Sequence, residues 1–360
     1  MRPSVLWRAG ILIVLTAIAL SACGGITSPA DKGVQGTVWV ADEDGNSITV
    51  INAATSKVIT TLKGIEGAHN LQVAPDGKTV WAVSGHDSLA VMLDASTYKV
   101  HGVVPTGMEP AHIILSPDGK TAYATNGSDN TVTVIDVASM TNVATIPVGE
   151  YPHGLRPSPD GRWVYVANAK DTTLSVIETQ TNTKVEDIEV GERPVQVGFS
   201  PDGKFAYFSL NGENALGKVD VATRTFVDKV SVGGGPIQVF VTPDNKYVLV
   251  ANQGTEDKPS TTVSIVDTST FKVVSTIETG DGAHGIVTDP SSRFAYITNI
   301  YENTVSVIDL DQKKVVATIS SGAAPNGISF SPLPAMPAPS SELELELPEH
   351  GSMDMPGMTP

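Results

Sequence analysis

Cysteine occurs once in 360 residues. A single thiol cannot close an internal disulfide, and without a C-x-x-C-H run the chain offers no covalent attachment for a c-type haem. Basic residues are scarce as well: 23 Lys and Arg stand against 39 Asp and Glu, a formal charge of −16. A protein that neutralises phosphates needs a basic face, so nucleic acid is not an expected partner. The acidity instead suits solubility and cationic ligands. Long apolar runs are missing too. The longest, Ala9 to Leu20, is too short to span a bilayer comfortably as a permanent helix. Gly (33) and Pro (24) are plentiful, so turns are frequent. At this length two or more domains are expected unless the chain repeats.

It does repeat. The stretch Gly107 to Gly149 holds four short apolar runs, His112–Leu115, Thr121–Thr125, Thr131–Ile135 and Asn142–Val148, separated by turn residues. β-branched and aromatic residues at strand length make these strands, and Pro117-Asp118-Gly119 suits a tight turn between the first two. The turn proline recurs as Pro75, Pro117, Pro159, Pro201, Pro243, Pro290 and Pro332, spaced 42, 42, 42, 42, 47 and 42 residues apart. Periods of 40 to 50 with four strands each indicate a β-propeller. The last copy stops after Gly327–Ser331. The N-terminal runs Val38–Ala41, Ser47–Ile51 and Lys57–Leu62 supply its missing strands, which gives seven blades closed by both ends of the chain over 36–332.

The strand that reads Tyr123-Ala124-Thr125-Asn126, Tyr165-Val166-Ala167-Asn168 and Tyr296-Ile297-Thr298-Asn299 resembles the YVTN-type (YncE-like) seven-bladed propeller repeats. The resemblance implies an all-β fold of four-stranded antiparallel blades. It says little of function, since such propellers include enzymes, cofactor carriers and binding proteins. Residues that recur in every blade read as architecture. These are the turn acids Asp76, Asp118, Asp160, Asp202 and Asp244, the strand-end Asn126, Asn168, Asn252 and Asn299, and Trp39, Trp81 and Trp163 as inter-blade packing.

Upstream, Arg2 and Arg8 flank the apolar run, which ends in Leu20-Ser21-Ala22-Cys23-Gly24. This resembles the bacterial lipobox. The resemblance implies a signal peptide over 1–22, lipidation of Cys23, a tether over 23–35 and a place in the cell envelope, facing the periplasm. Gly24, where an Asp would retain the protein at the inner membrane in enteric-type sorting, implies the outer membrane. The membrane is then a partner through the lipid alone.

Function is expected where the copies differ. Aligned on the turn prolines, the sixth residue upstream is His69, Ala111, His153, Val195, Ile237, His284 or Asn326. The fifth is Asn70, His112, Gly154, Gln196, Gln238, Gly285 or Gly327. Four of the seven histidines thus fall at two adjacent positions at the entry to the innermost strands, where residues just before these strands crowd the mouth of the central channel on what we call the top face. Converging imidazoles could hold a transition metal or a cofactor. They could equally be polar residues that bond backbone or water. Nitrous oxide reductase, a seven-bladed propeller whose histidine ring holds a copper–sulfide cluster, offers a comparison; this chain has fewer ring histidines and no copper domain. An acid also recurs between the second and third strands, at Asp87, Asp129, Asp171, Glu213 and Glu302, and blade 5 has a longer loop, Gln253–Thr261, holding Glu256 and Asp257. These acids read as a cation-attracting rim or as hairpin-turn chemistry.

After Pro332 the chain becomes Pro-rich, then alternates Glu and Leu over Glu342–Leu347, and ends with His350, Met353, Met355 and Met358. The tail over 333–360 is expected to be disordered, although Glu342–Leu347 could pair as an edge strand. Thioethers are soft ligands suited to Cu(I), and the segment resembles Met/His-rich tails of periplasmic copper-handling proteins. The expectation is a monomeric, lipid-anchored binding protein with no catalytic residues, its metal, copper, held by His69, His112, His153, His284, His350, Met353, Met355 and Met358. Two alternatives stay open: a metal-free scaffold that holds an envelope protein on its top face, and a nitrite-reductase-like or lactonase-like cofactor carrier or hydrolase.

Overall fold

The computed structural model describes residues 33–348. The segment 1–22, Cys23 and the tether up to residue 32 lie outside the described residues, as do His350, Met353, Met355 and Met358.

Seven antiparallel sheets of four strands surround one axis. The innermost strands are Ala68–Val73, Pro110–Leu115, Pro152–Pro157, Pro194–Phe199, Pro236–Val241, Ala283–Thr288 and Pro325–Ser331, belonging to blades 1 to 7 in that order. Blade 7 is the composite one. Its inner strand comes from the end of the repeat array and pairs with Thr37–Asp42, which pairs in turn with Ser47–Asn52. Thr37 faces Ser331 on one side and Asn52 on the other, so the two ends of the array share one ladder and no blade keeps an open inner edge.

Each blade packs its neighbour through a large side chain at one register position of the second strand. Trp39, Trp81, Tyr123, Tyr165, Tyr207 and Tyr296 fill it and are all almost fully buried, with Leu249 completing the ring in blade 5. Trp163 does not belong to this set. It opens its strand half-buried, with the guanidinium of Arg162 4.7 Å and that of Arg224, from blade 4, 4.2 Å from its ring. Its contact between blades is cation–π rather than core packing.

The repeated acids and amides serve the turns. Asp118 accepts from Ser116 Oγ and Lys120 N, at 2.6 and 3.1 Å, and Asn126 bridges Thr131, Thr133 and the backbone of Gly107. The acids of the second-to-third-strand loops are likewise spoken for: Asp129 takes the N–H of Met108, Glu213 that of Glu192 and Glu302 that of Asp281. They staple the loop that leads into the inner strand of the same blade, whereas hairpin-turn chemistry would have each acid bond its own turn. The Gln253–Thr261 segment is mostly not loop, because strands Tyr247–Thr255 and Lys258–Asp267 extend into it as a longer hairpin.

The tail departs from the expected disorder over its first part. Glu342–Glu344 adds a fifth strand to blade 7, parallel to Lys57–Lys63, with Leu343 beside Leu62. Leu343, Leu345 and Leu347 pack against the core shared by blades 7 and 1, and Tyr98 donates to Met336 O at 2.5 Å. Leucines on alternate residues bury one side of this strand while the glutamates face outward; Lys63 meets Glu342 at 2.8 Å.

Asp42 occupies in blade 7 the position that Asn126, Asn168, Asn252 and Asn299 hold elsewhere. Fully buried, it accepts from Ser47, Thr49, Ser321 and Gly322. Burial pushes its carboxyl up to about 6, against the opposing pull of those bonds. The folded state therefore keeps this proton up to about pH 6, whereas the unfolded chain loses it near 3.8. Stability from this group falls as pH rises through that window. Asp42→Asn is expected to remove the fall and to stabilise the protein at pH 7 by about 2 kcal/mol; thermal midpoints of both forms across pH 4.5 to pH 7.5 measure it.

Candidate metal centre in the channel mouth

The two residues singled out in each blade coincide with a break in pairing. Between inner and second strands the register shifts from Ala68 to Leu71, Pro110 to Ile113, Pro152 to Leu155, Pro194 to Val197, Pro236 to Val239 and Ala283 to Ile286. Each shift leaves two residues free of the ladder. A bulge of this kind bends the strand and re-aims side chains. Here it turns them toward the axis.

His69, His112 and His153 come from blades 1, 2 and 3, and each offers a ring nitrogen within 4.8 Å of the others. Ring centroids are 4.8 to 5.6 Å apart, in edge-to-face contact. His112 is fully buried, and the other two are half-buried. Nδ1 of His153 lies 3.3 Å from Val195 O. A carbonyl can only accept, so this nitrogen carries the proton and Nε2 keeps its lone pair. The same bond from His284 Nδ1 to Asn326 O, also 3.3 Å, fixes the tautomer in blade 6. Nδ1 of His69 is buried with no protein partner. The two nitrogens of His112 lie 3.4 and 3.5 Å from the amide nitrogens of Gln196 and Gln238. A neutral imidazole can accept only one such bond, and both are long.

Burial, and then the nearness of His153 and His69, holds His112 well below the ordinary histidine range. Burial lowers His153 to about 3, with His69 and His284 adding to it. Burial and His69 lower His284 to about 4, the carboxylate of Glu43 opposing. These rings are neutral at physiological pH, the state in which imidazole binds a metal. Nitrogens at the usual distance of about 2.0–2.1 Å from one ion sit roughly 3.4 Å apart, so the three rings have to close by about an ångström.

Of the four predicted channel ligands the structure thus gathers three. His284 approaches from the far side of the axis, outside that group but within electrostatic reach of His69. Gln196 donates to Gln238 at 3.0 Å, which continues a polar belt around the channel. Glu43 was not foreseen. It binds Asn326 Nδ2 at 2.7 Å and brings a carboxylate to the mouth. It lies in the linker after Asp42, where alignment on turn prolines gives no signal.

The sequence profile "Lactonase, 7-bladed beta-propeller" matches residues 34–192, and "YNCE-like beta-propeller" matches residues 206–333. The fold is that of a seven-bladed β-propeller, and each half of the chain matches a different propeller family. No curated protein matches it. Among solved structures, this propeller is similar to Kuenenia stuttgartiensis hydrazine synthase (24% identity, 74% of this chain and 90% of that one, TM-score 0.69). It is similar to a functionally unknown protein from Desulfotomaculum acetoxidans DSM 771 (17%, 83% and 99%, TM-score 0.74). It also resembles a putative 6-phosphogluconolactonase from Bacteroides fragilis NCTC 9343 (16%, 84% and 99%, TM-score 0.71). At these identities the likeness is one of fold.

Glycine follows histidine in blades 3 and 6 because the ring is crowded there. A Cβ on Gly154 would lie 2.3 Å from Gln196 Oε1 and 2.6 Å from Val195 O; on Gly285 it would lie 2.4 Å from Asn326 O. Two of those three atoms are backbone and cannot swing aside. Gly154→Ala is expected to cost about 1–3 kcal/mol in denaturant unfolding, and to break the bond from His153 to Val195.

Proposed function

We propose that this propeller is a lipid-anchored envelope protein that binds a transition metal, copper, in its channel mouth. His69, His112 and His153 are the ligands, with His284 standing by as a fourth imidazole. One observation carries the reading: three imidazoles from three different blades converge on one point, and one of their buried nitrogens has no partner among the described residues. Imidazole suits copper and zinc alike. The thioethers of Met353, Met355 and Met358, with His350, add the soft donors that favour Cu(I), which tips the choice to copper. Anchoring through Cys23 places the channel on the periplasmic side, and delivery to or from an envelope partner at the top face follows from an open mouth.

The hydrolytic alternative is the weaker one. A general base works best with a pKa near the working pH, and burial takes His112, His153 and His284 far below it.

The test is Cu(I) and Cu(II) titration of three proteins: the native chain, a variant His69→Asn/His112→Gln/His153→Asn, and a truncation after residue 348. The substitutions borrow residues that blades 4, 5 and 7 carry at these positions. The cut leaves the strand at Glu342–Glu344 in place, because removing it would also strip leucines from the core of blade 7. Tight copper lost in the triple variant is the expected outcome, with a second, weaker Cu(I) equivalent lost in the truncation. Native protein that binds copper no better than the triple variant would contradict the channel site and leave a protein-binding scaffold.

A further inference from the structure

The channel has a second end. Three residues beyond His153, about 10 Å further along the inner strand, Arg156 points to the side of the turn prolines. There a cavity of about 340 Å³ is walled by Gln72, Arg156, Phe240, Thr288, Ser329 and Phe330 among others, with Pro243, Pro290 and Pro332 at its rim. At the corresponding register the other blades carry Gln72, Ile114, Gly198, Phe240, Val287 and Ser329, so a charge there is unique to blade 3.

We propose that this end binds a small organic carboxylate, its oxygens on Arg156, Thr288 and Ser329 and its apolar body against Phe240 and Phe330. Arg156 has no acidic partner among the described residues. Its one contact is from Nη1 to Gln72 Oε1, at 3.5 Å. A guanidinium with five donors and a single long acceptor keeps most of its N–H groups free for a ligand in the cavity. Thr288 is 4% exposed, and its hydroxyl has no partner among the described residues. Ser329 Oγ accepts from Val73 N at 3.1 Å, which leaves its own proton to donate. No Asp or Glu lines the cavity. The nearest carboxylate in sequence, Asp289, is already engaged by Ser291, Arg293 and Phe294. Donors from three blades therefore line the cavity, and the distant Gln72 Oε1 is the one side-chain acceptor they meet among the described residues. A carboxylate matches the fork of arginine with two parallel bonds. Aromatic walls favour an organic anion over a bare inorganic one, and the volume is at the small end of ligand pockets, roughly 300–1,000 Å³. Burial draws Arg156 down to about 10, which still leaves it charged at neutral pH.

The inference does not rest on the metal reading, and its test is run in chelator-treated protein to keep the two apart. Isothermal titration with benzoate is compared with benzyl alcohol and with inorganic phosphate, for native protein, Arg156→Gln and Thr288→Val. Thermal midpoints without ligand check that each variant folds. The expected result is saturable benzoate binding, weakened about tenfold or more in Arg156→Gln and several-fold in Thr288→Val, with no binding of benzyl alcohol. Benzoate binding unchanged in a folded Arg156→Gln, benzyl alcohol bound as tightly as benzoate, phosphate bound more tightly than benzoate, or no benzoate binding at about 10 mM would each overturn it.

Discussion

Everything along the axis depends on one antiparallel pairing, that of Thr37–Asp42 with Pro325–Ser331. Six blades are formed from contiguous sequence, and each needs only its neighbours. The seventh joins segments nearly 300 residues apart in the chain and converts an arc into a ring. Only in a closed ring do seven inner strands face a common axis at fixed distance, and only then do side chains from blades 1, 2 and 3 meet. The joint is reinforced from outside by the strand Glu342–Glu344, which covers the edge of the same blade.

Within that ring, architecture and chemistry divide by position. Second strands carry the aromatic residues that set blade spacing, and the turns and strand ends carry acids and amides bound to their own or neighbouring loops. The inner strands are the least regular part, broken at the same two residues in all seven blades. The break releases two side chains per blade from the demands of the ladder. Blades 1, 2, 3 and 6 place histidine there, and blades 4 and 5 place glutamine. The far end of the channel, where the ladder is intact, carries a single arginine and hydroxyls.

The fold was legible because it is written many times. Proline spacing, the Tyr-x-x-Asn strand and the shortfall of the last copy together specify seven blades and the manner of closure. The histidine positions were legible for the same reason, since alignment on the repeat places them at one height. Alignment cannot say how far apart they stand across the axis, so the separation of His284 from the other three was invisible. Glu43 and Asp42 lie in the composite blade, where the repeat is interrupted. Arg156 breaks the pattern at a register whose place in the channel only coordinates reveal. Alternation of Glu and Leu after residue 341 permitted a strand, but the groove that accepts the leucines is made by blades 7 and 1 and appears in no local pattern.

The central claim is that imidazoles from separate blades share one metal ion. The most direct measurement is pulsed electron paramagnetic resonance of the protein truncated after residue 348 and loaded with one equivalent of Cu(II). Modulation from the remote nitrogens of at least two coordinated imidazoles, absent from the His69→Asn/His112→Gln/His153→Asn variant, is the predicted result. A spectrum with no imidazole modulation, or one that the triple substitution leaves unchanged, would contradict the account.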